Sequence, residues 1–341
     1  MPAAISPWLR WLILTDNQVS VLPDSIGNCA RLQKLMLAGN QLAELPVAMR
    51  GCVGLELLRI SANRFKALPE WLLQLPRLTW LAFGGNPVSA VPHAPSGAVG
   101  RLNWGDLVLG DQLGEGASGV IHKAHWQPSP QEAGHPVAVK LFKGAVTSDG
   151  FPAEEIAACL AAGNHAHLIG VIGELTGHPA GTSGLVMPWV DPGFRSLAGP
   201  PSLATCTRDI YRDGQRFSLP LVLDLATGLA AVGEHLHARG IMHGDFYAHN
   251  VLFRPEGGCL LADFGAASFY PPQAGEGAHP LEALEVRAFG CLLGELLERI
   301  EPDHDVLLPS LKALQLRCMA PVAASRPRFA ELVATLESLR H

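Results

Sequence analysis

Four asparagines, Asn17, Asn40, Asn63 and Asn86, follow one another at a constant interval of 23 residues. Around each lies one template: LRWLILTDNQV, LQKLMLAGNQL, LELLRISANRF and LTWLAFGGNPV. A leucine or valine followed by proline closes each copy, at Pro23, Pro46, Pro69 and Pro92. A period of this length makes the first third of the chain an array, because one copy is too small to bury its own apolar face. Within a copy the apolar residues alternate at period 2, so they point to one side of a short strand and stack on the next turn. The asparagine side chain can bond backbone groups that a tight turn leaves unpaired. Proline, with no N–H to donate, ends the extended stretch.

This template resembles the leucine-rich repeat family in a short bacterial-style form, which implies an α/β solenoid over residues 1–92. The residues between the core leucines then line its concave face: Trp11, Ile13, Thr15; Lys34, Met36, Ala38; Leu57, Arg59, Ser61; Trp80, Ala82, Gly84. That face is unusually apolar. It either packs against the rest of the chain or binds a protein partner, a substrate or regulator.

The whole chain has 341 residues, 48% of them hydrophobic and 16% charged, enough for a second domain with its own core. A net charge of −6 argues against a sequence-independent nucleic-acid binder. Seven scattered cysteines without a CxxC pair suggest neither a zinc site nor a disulfide scaffold, and point to a reducing, cytoplasmic setting. No stretch reads as a signal peptide, and no uncharged apolar run reaches the length of a membrane span.

Residues 93–103, HAPSGAVGRLN, read as a linker. From Trp104 to residue 341 the pattern changes. A strand-like WGDLVLGDQL runs into Leu113, Gly114, Glu115, Gly116, Ala117, Ser118, Gly119 and Val120, followed by a second strand, IHKAHW. A glycine-rich turn between two strands fits a hairpin whose backbone N–H groups approach phosphates without a Cβ in the way. Ala138 and Lys140 stand in the strand-like VAVK, and FPAEEIAACLAAGNHAHLIGVIG reads as helix and then strand. LVMPWV, with Met187, Pro188 and Val190, reads as another strand. Then come HGDFYAHN, with Asp245 and Asn250, and 13 residues after Asn250 a DFG beginning at Asp263.

Taken in order, these motifs resemble the eukaryotic-like protein kinase core, leaning to its tyrosine-kinase-like branch. The resemblance implies a two-lobed α+β fold over 104–341 that takes ATP and Mg²⁺. Residues 113–120, with Ala138, Lys140, Met187, Pro188 and Val190, would hold the ATP. Lys140 would pair with the nucleotide phosphates and with a helix glutamate, Glu155, with Glu154 as the alternative. Asp245 would accept or orient the acceptor hydroxyl, and Asn250 and Asp263 would hold the metal. EVRAFGCLLGELL resembles the central helix of the large lobe, where Glu285 could anchor the catalytic loop; Arg326 stands in the family's closing RP step.

The pattern departs from the family in places. Gly244 replaces the usual arginine before the catalytic aspartate, and Tyr247 the lysine that Ser/Thr kinases place near the γ-phosphate. No APE precedes the central helix, leaving Glu282 as the near candidate to pair with Arg326, and Ser268 and Tyr270 as the phosphorylatable side chains between Gly265 and Glu285. The leading expectation is a Ser/Thr protein kinase with a protein-binding array. A pseudokinase scaffold and a small-molecule kinase of the aminoglycoside or choline type are the alternatives.

Overall fold

The computed structural model describes residues 5–89, 100–271, 279–302 and 307–340, apart from the single positions 117, 130, 132 and 148. The repeats form strands β1 (Trp11–Ile13), β2 (Lys34–Met36), β3 (Leu57–Arg59) and β4 (Trp80–Ala82), one parallel sheet in chain order. Trp11, Lys34, Leu57 and Trp80 stand side by side, so the repeat period is the sheet register. Each strand returns through a 3₁₀ turn, Asp24–Asn28, Val47–Gly51 or Glu70–Gln74, and each turn starts directly after Pro23, Pro46 or Pro69. A 23-residue period leaves room for a single 3₁₀ turn and not for an α-helix. The asparagines rivet neighbouring turns. Asn63 Nδ2 donates to Leu37 O of the preceding repeat at 2.9 Å, and its Oδ1 accepts the Leu42 N–H at 2.9 Å.

Strand β5 (Gly100–Asn103) opens the second part. It pairs in parallel with β9 (Gly173–Thr176) at the edge of a six-stranded sheet. Residues 100–103 are therefore a strand with a buried Leu102, not the end of a linker; the rest of that expected linker lies outside the described residues. The other strands are β6 (Leu107–Glu115), β7 (Gly119–Trp126), β8 (His135–Phe142) and β10 (Gly184–Pro188), and the helix α1 (Pro152–Ala162) packs beside them. The strand expected within HLIGVIG begins only at Gly173.

The helical part follows a short β11 (Arg195–Ser196). Its core is α2 (Leu219–His237), then β12 (Ile241–Met242), β13 (Val251–Phe253), β14 (Cys259–Leu261), β15 (Ser268–Phe269), α3 (Pro280–Leu297), α4 (Leu308–Cys318) and α5 (Phe329–Ser338). By length and composition α2 could cross a membrane, but two thirds of its apolar window is buried inside this fold, as befits a core helix.

The array does not stand apart. Leu57 and Trp80 belong to the apolar core built on α2 and α3, while Met242, Tyr270, Leu281 and Leu284 belong to the core of the repeats. On the concave face Arg59 is 2% exposed, Trp80 1%, and Ser61 and Ala82 are fully buried. The expectation of a concave face open to a protein partner is thus corrected for the third and fourth repeats, whose strands the chain covers itself. Ile13 of the first repeat remains exposed.

Candidate active site

Strand β8 carries Val137 and Val139 into the sheet core; Ala138 and Lys140, on the opposite face at period 2, line a cavity of about 500 Å³. On α1, Glu155 and Cys159 lie one turn apart and face the same cavity. Lys140 Nζ makes an ion pair with Glu155 Oε1 and stands 3.5 Å from Asp263 Oδ1. One ammonium thus serves two carboxylates. Burial, with Asp263 and Asp149 nearby, pushes Glu155 up to about 7 against the pull of Lys140. Glu154 points elsewhere and takes the backbone N–H of Gly85 from the array; burial raises its carboxyl.

The cavity is also lined by Leu113, Met187, Pro188 and Val190 from the expected set. Val120 is not among its lining residues; Ile121 is. The correction follows from alternation along β7, where neighbours face opposite sides. Counting alternation from Gly119, rather than extending the glycine run, would have found it. Leu252 and Ala262 close the floor and also escaped the sequence reading.

Of the glycine-rich residues, Ala117 lies outside the described residues. Gly116 N–H donates to Gly119 O at 2.9 Å, closing the hairpin. A Cβ at Gly119 would come within 2.5 Å of Leu141 O, so that glycine serves packing. A Cβ at Gly114 or Gly116 would meet no protein atom within 4 Å, so these two leave room for something outside the protein. Glu115 is exposed and pairs with Lys143, and Ser118 is buried.

The loop after β12 is pinned by Glu285 of α3. Its Oε1 accepts the Gly244 N–H at 2.8 Å, and its Oε2 accepts the His243 N–H at 3.2 Å and His237 Nε2–H at 2.8 Å. Asp245 is held by Asn250, whose Nδ2 donates to both Asp245 O and Oδ2 at 2.9 Å. Its other oxygen pairs with Arg59 of the array. Burial opposes the charge of Asp245, but Arg59, His249 and His243 hold its carboxyl below the usual range. His249 donates from Nδ1 to Asp209 at 2.7 Å and stays protonatable above its ordinary range, because that bond and Asp245 outweigh burial.

The other positions singled out around this loop are all engaged within the fold. Tyr247 lies under Trp80, the rings 4.1 Å apart and 9° from parallel. Ser268 and Tyr270 are both buried; Ser268 Oγ accepts the Phe83 N–H at 2.9 Å, so neither hydroxyl is open to modification in this state. Glu282 accepts from Tyr270 at 3.2 Å, whereas Arg326 donates to Ala283 O and Ala320 O at 2.8 Å; the expected Glu282–Arg326 pair is not formed. The missed participant is Arg59, visible in the sequence only as a cation on an apolar concave face.

Among the described residues no cluster of three or more His, Cys, Asp or Glu side chains could hold a metal alone. Asn250, its amide nitrogen spent on Asp245, offers Oδ1, and the Asp263 side chain is 47% exposed. Two oxygen donors fit a Mg²⁺ that takes its other ligands from phosphates and water.

A profile of the family described as protein tyrosine and serine/threonine kinase matches residues 107–287, and a leucine rich repeat profile matches residues 7–65. Among curated proteins, the chain is 27% identical over 186 residues to cyclin-dependent kinase 11.1 of Caenorhabditis elegans, covering 54% of this chain and 24% of that one. It is 25% identical over 284 residues to the probable serine/threonine-protein kinase gdt4 of Dictyostelium discoideum, covering 70% and 16%. It is 31% identical over 228 residues to the putative cyclin-dependent kinase F-2 of Oryza sativa subsp. japonica, covering 64% and 62%. The chain therefore spans less than two thirds of the length of each of these relatives.

Proposed function

Because this chain belongs to the protein tyrosine and serine/threonine kinase family, we propose that it transfers the γ-phosphoryl group of ATP to Ser or Thr hydroxyls of a protein. The observation that carries this is the joined set of Lys140, Glu155 and Asp263 at the mouth of a cavity with an apolar lining, beside an Asp245 fixed by Asn250. In a pseudokinase scaffold nothing would keep these charged groups together, and two of them are buried.

Leu113, Ala138, Met187 and Leu252 would sandwich an adenine, and the Val190 N–H and Pro188 C=O would read its edge. The bare backbone at Gly114 and Gly116 would admit the phosphates. Asn250 and Asp263 would hold a Mg²⁺, which when bound would neutralise charge on the phosphate oxygens. Asp245 takes the proton of the acceptor hydroxyl as its oxygen bonds to phosphorus and the bond to ADP breaks. Lys140 holds the phosphates, and Glu155 keeps the ammonium in place.

With the array on one side of Asp245, an acceptor would approach from the side of His249, beside a groove lined by Ser196, Arg212 and Gln215. A second reading, transfer to a small hydroxyl compound, draws on the burial of Ser268 and Tyr270, two side chains after Gly265 that a docking peptide would otherwise meet. For the array, a partner surface is confined to the first two repeats, where Trp11, Ile13, Lys34 and Met36 are at least partly open. The test is labelled ATP with Mg²⁺ and a mixed protein acceptor, against Asp245→Asn and Asp263→Ala. Label in protein from the wild type alone supports the reading; label only in small hydroxyl compounds supports the second; none supports the scaffold.

A further inference from the structure

Asp245 is gripped from two domains. Asn250 fixes one carboxylate oxygen from within the loop. The other meets Nη2 of Arg59, which reaches in from β3 of the array. The same guanidinium donates from Nη1 to Gly244 O at 3.0 Å and from Nε to Asp149 Oδ1 at 2.6 Å. Its three nitrogens thus tie the catalytic loop, the segment before α1 and the third repeat into one rigid fork. The loop itself brings only an imidazole, His249, whose Nε2 stands 3.9 Å from Asp245 Oδ2; position 244 has no side chain, and Tyr247 is a phenol under Trp80.

We propose that Arg59 is a positioning residue of the phosphoryl-transfer site, the array supplying in cis the cation that orients Asp245. The inference rests on the kinase reading above. It treats the array as a standing part of the active site and not as a plug that leaves. Two observations favour that choice. First, the interface is shared core: Leu57 and Trp80 on one side, Met242, Tyr270, Leu281 and Leu284 on the other. Second, the loop is shaped to receive the array. A Cβ at Gly244 would come within 2.7 Å of Leu81 O and 2.5 Å of Ala266 O, and its φ of 74° suits glycine. Withdrawing the array would also part Asp245 from Arg59, and Arg208 and Thr207 from Glu56.

The experiment compares full-length wild type, Arg59→Gln, Arg59→Lys and Thr79→Ala, with kcat and KM for ATP measured separately and folding checked by thermal melts. Thr79 accepts from Arg287 at 3.2 Å across the same interface but does not touch Asp245. Arg59→Gln should lower kcat about 10²-fold, the scale of a misplaced catalytic group, with KM for ATP little changed, because Arg59 does not line the nucleotide cavity. Arg59→Lys should recover part of kcat: an ammonium keeps the charge but cannot span three acceptors. Thr79→Ala should keep kcat. If Arg59→Gln fails to fold, the Arg59→Lys rate decides: an intermediate kcat upholds the proposal, and a wild-type kcat overturns it. A faster Arg59→Gln enzyme would mean the array is a plug; an equal loss in Thr79→Ala, or a lysine variant no better than glutamine, would mean Arg59 only holds the interface. Each of these overturns the proposal while leaving the kinase reading intact. A wild type that transfers no phosphate sinks the kinase reading itself, and the proposal with it.

Discussion

Trp80 of the fourth repeat lies flat on Tyr247 of the catalytic loop, and its indole N–H donates to Phe246 O at 3.3 Å. One side chain of the array thus covers a ring and satisfies a backbone carbonyl of the other domain. Replacing it by alanine should destabilise the whole chain by about 3–5 kcal/mol, the usual cost of truncating a buried aromatic. Trp80→Phe should recover much of the stacking but not the hydrogen bond. Denaturant unfolding of the two variants checks this; a local loss confined to the repeats would contradict it.

Glu155 and Glu154 are neighbours with opposite surroundings, one on Lys140 and one on the array. Glu155→Gln should lower phosphate transfer by about 10²-fold, because the ammonium loses the partner that aims it. Glu154→Gln should leave the rate within about twofold while sparing the protein a buried carboxylate. Steady-state rates of the two variants at one pH separate the roles.

Ile121 lines the cavity proposed for the nucleotide and Val120 does not. Truncating Ile121 to alanine removes apolar contact worth about 1–2 kcal/mol to a bound base, so the affinity for ATP should drop about tenfold. Val120→Ala should leave it nearly unchanged. Equilibrium nucleotide binding, free of any turnover, makes the comparison.

Glu285 is fully buried, which alone would raise its carboxyl; the bond from His237, the charge near His243 and the Gly244 N–H together bring it below the ordinary range. A carboxyl depressed in the folded state lends stability above its unfolded pKa, about 4.3. That stability is lost as pH falls through the lower folded value. Melting temperature should therefore fall on acidification below about pH 4.3. Glu285→Gln should be less stable at neutral pH and lose part of that acid dependence.

The repeats were legible because their spacing is the sheet register: Asn17, Asn40, Asn63 and Asn86 mark turns that stack one above the next. Lys140, Glu155, Asp245, Asn250 and Asp263 were legible because each sits in a local motif, and the motifs occur in order. The errors have local causes too. Val120 directly follows the glycine motif, but it stands in a strand whose period is 2, so its neighbour Ile121 reaches the cavity. Residues 100–103 follow a Pro-, Gly- and Ser-bearing stretch that reads as linker, yet they form an edge strand anchored by the buried Leu102. Glu282 is the carboxylate nearest in the sequence pattern to a partner for Arg326, yet the guanidinium donates to Ala283 O and Ala320 O. Arg59 reaches Asp245 across 186 residues of chain, a contact that no local pattern encodes.

The interleaved apolar residues of the two domains have a practical corollary. What joins repeats to catalytic half is surface, not the peptide between Ser89 and Gly100. Cutting the backbone there should be tolerated, with both fragments co-purifying as a nicked complex. Producing either fragment by itself should yield a sticky, poorly soluble polypeptide, with Leu57 and Trp80 bared on one and Met242 and Leu284 on the other.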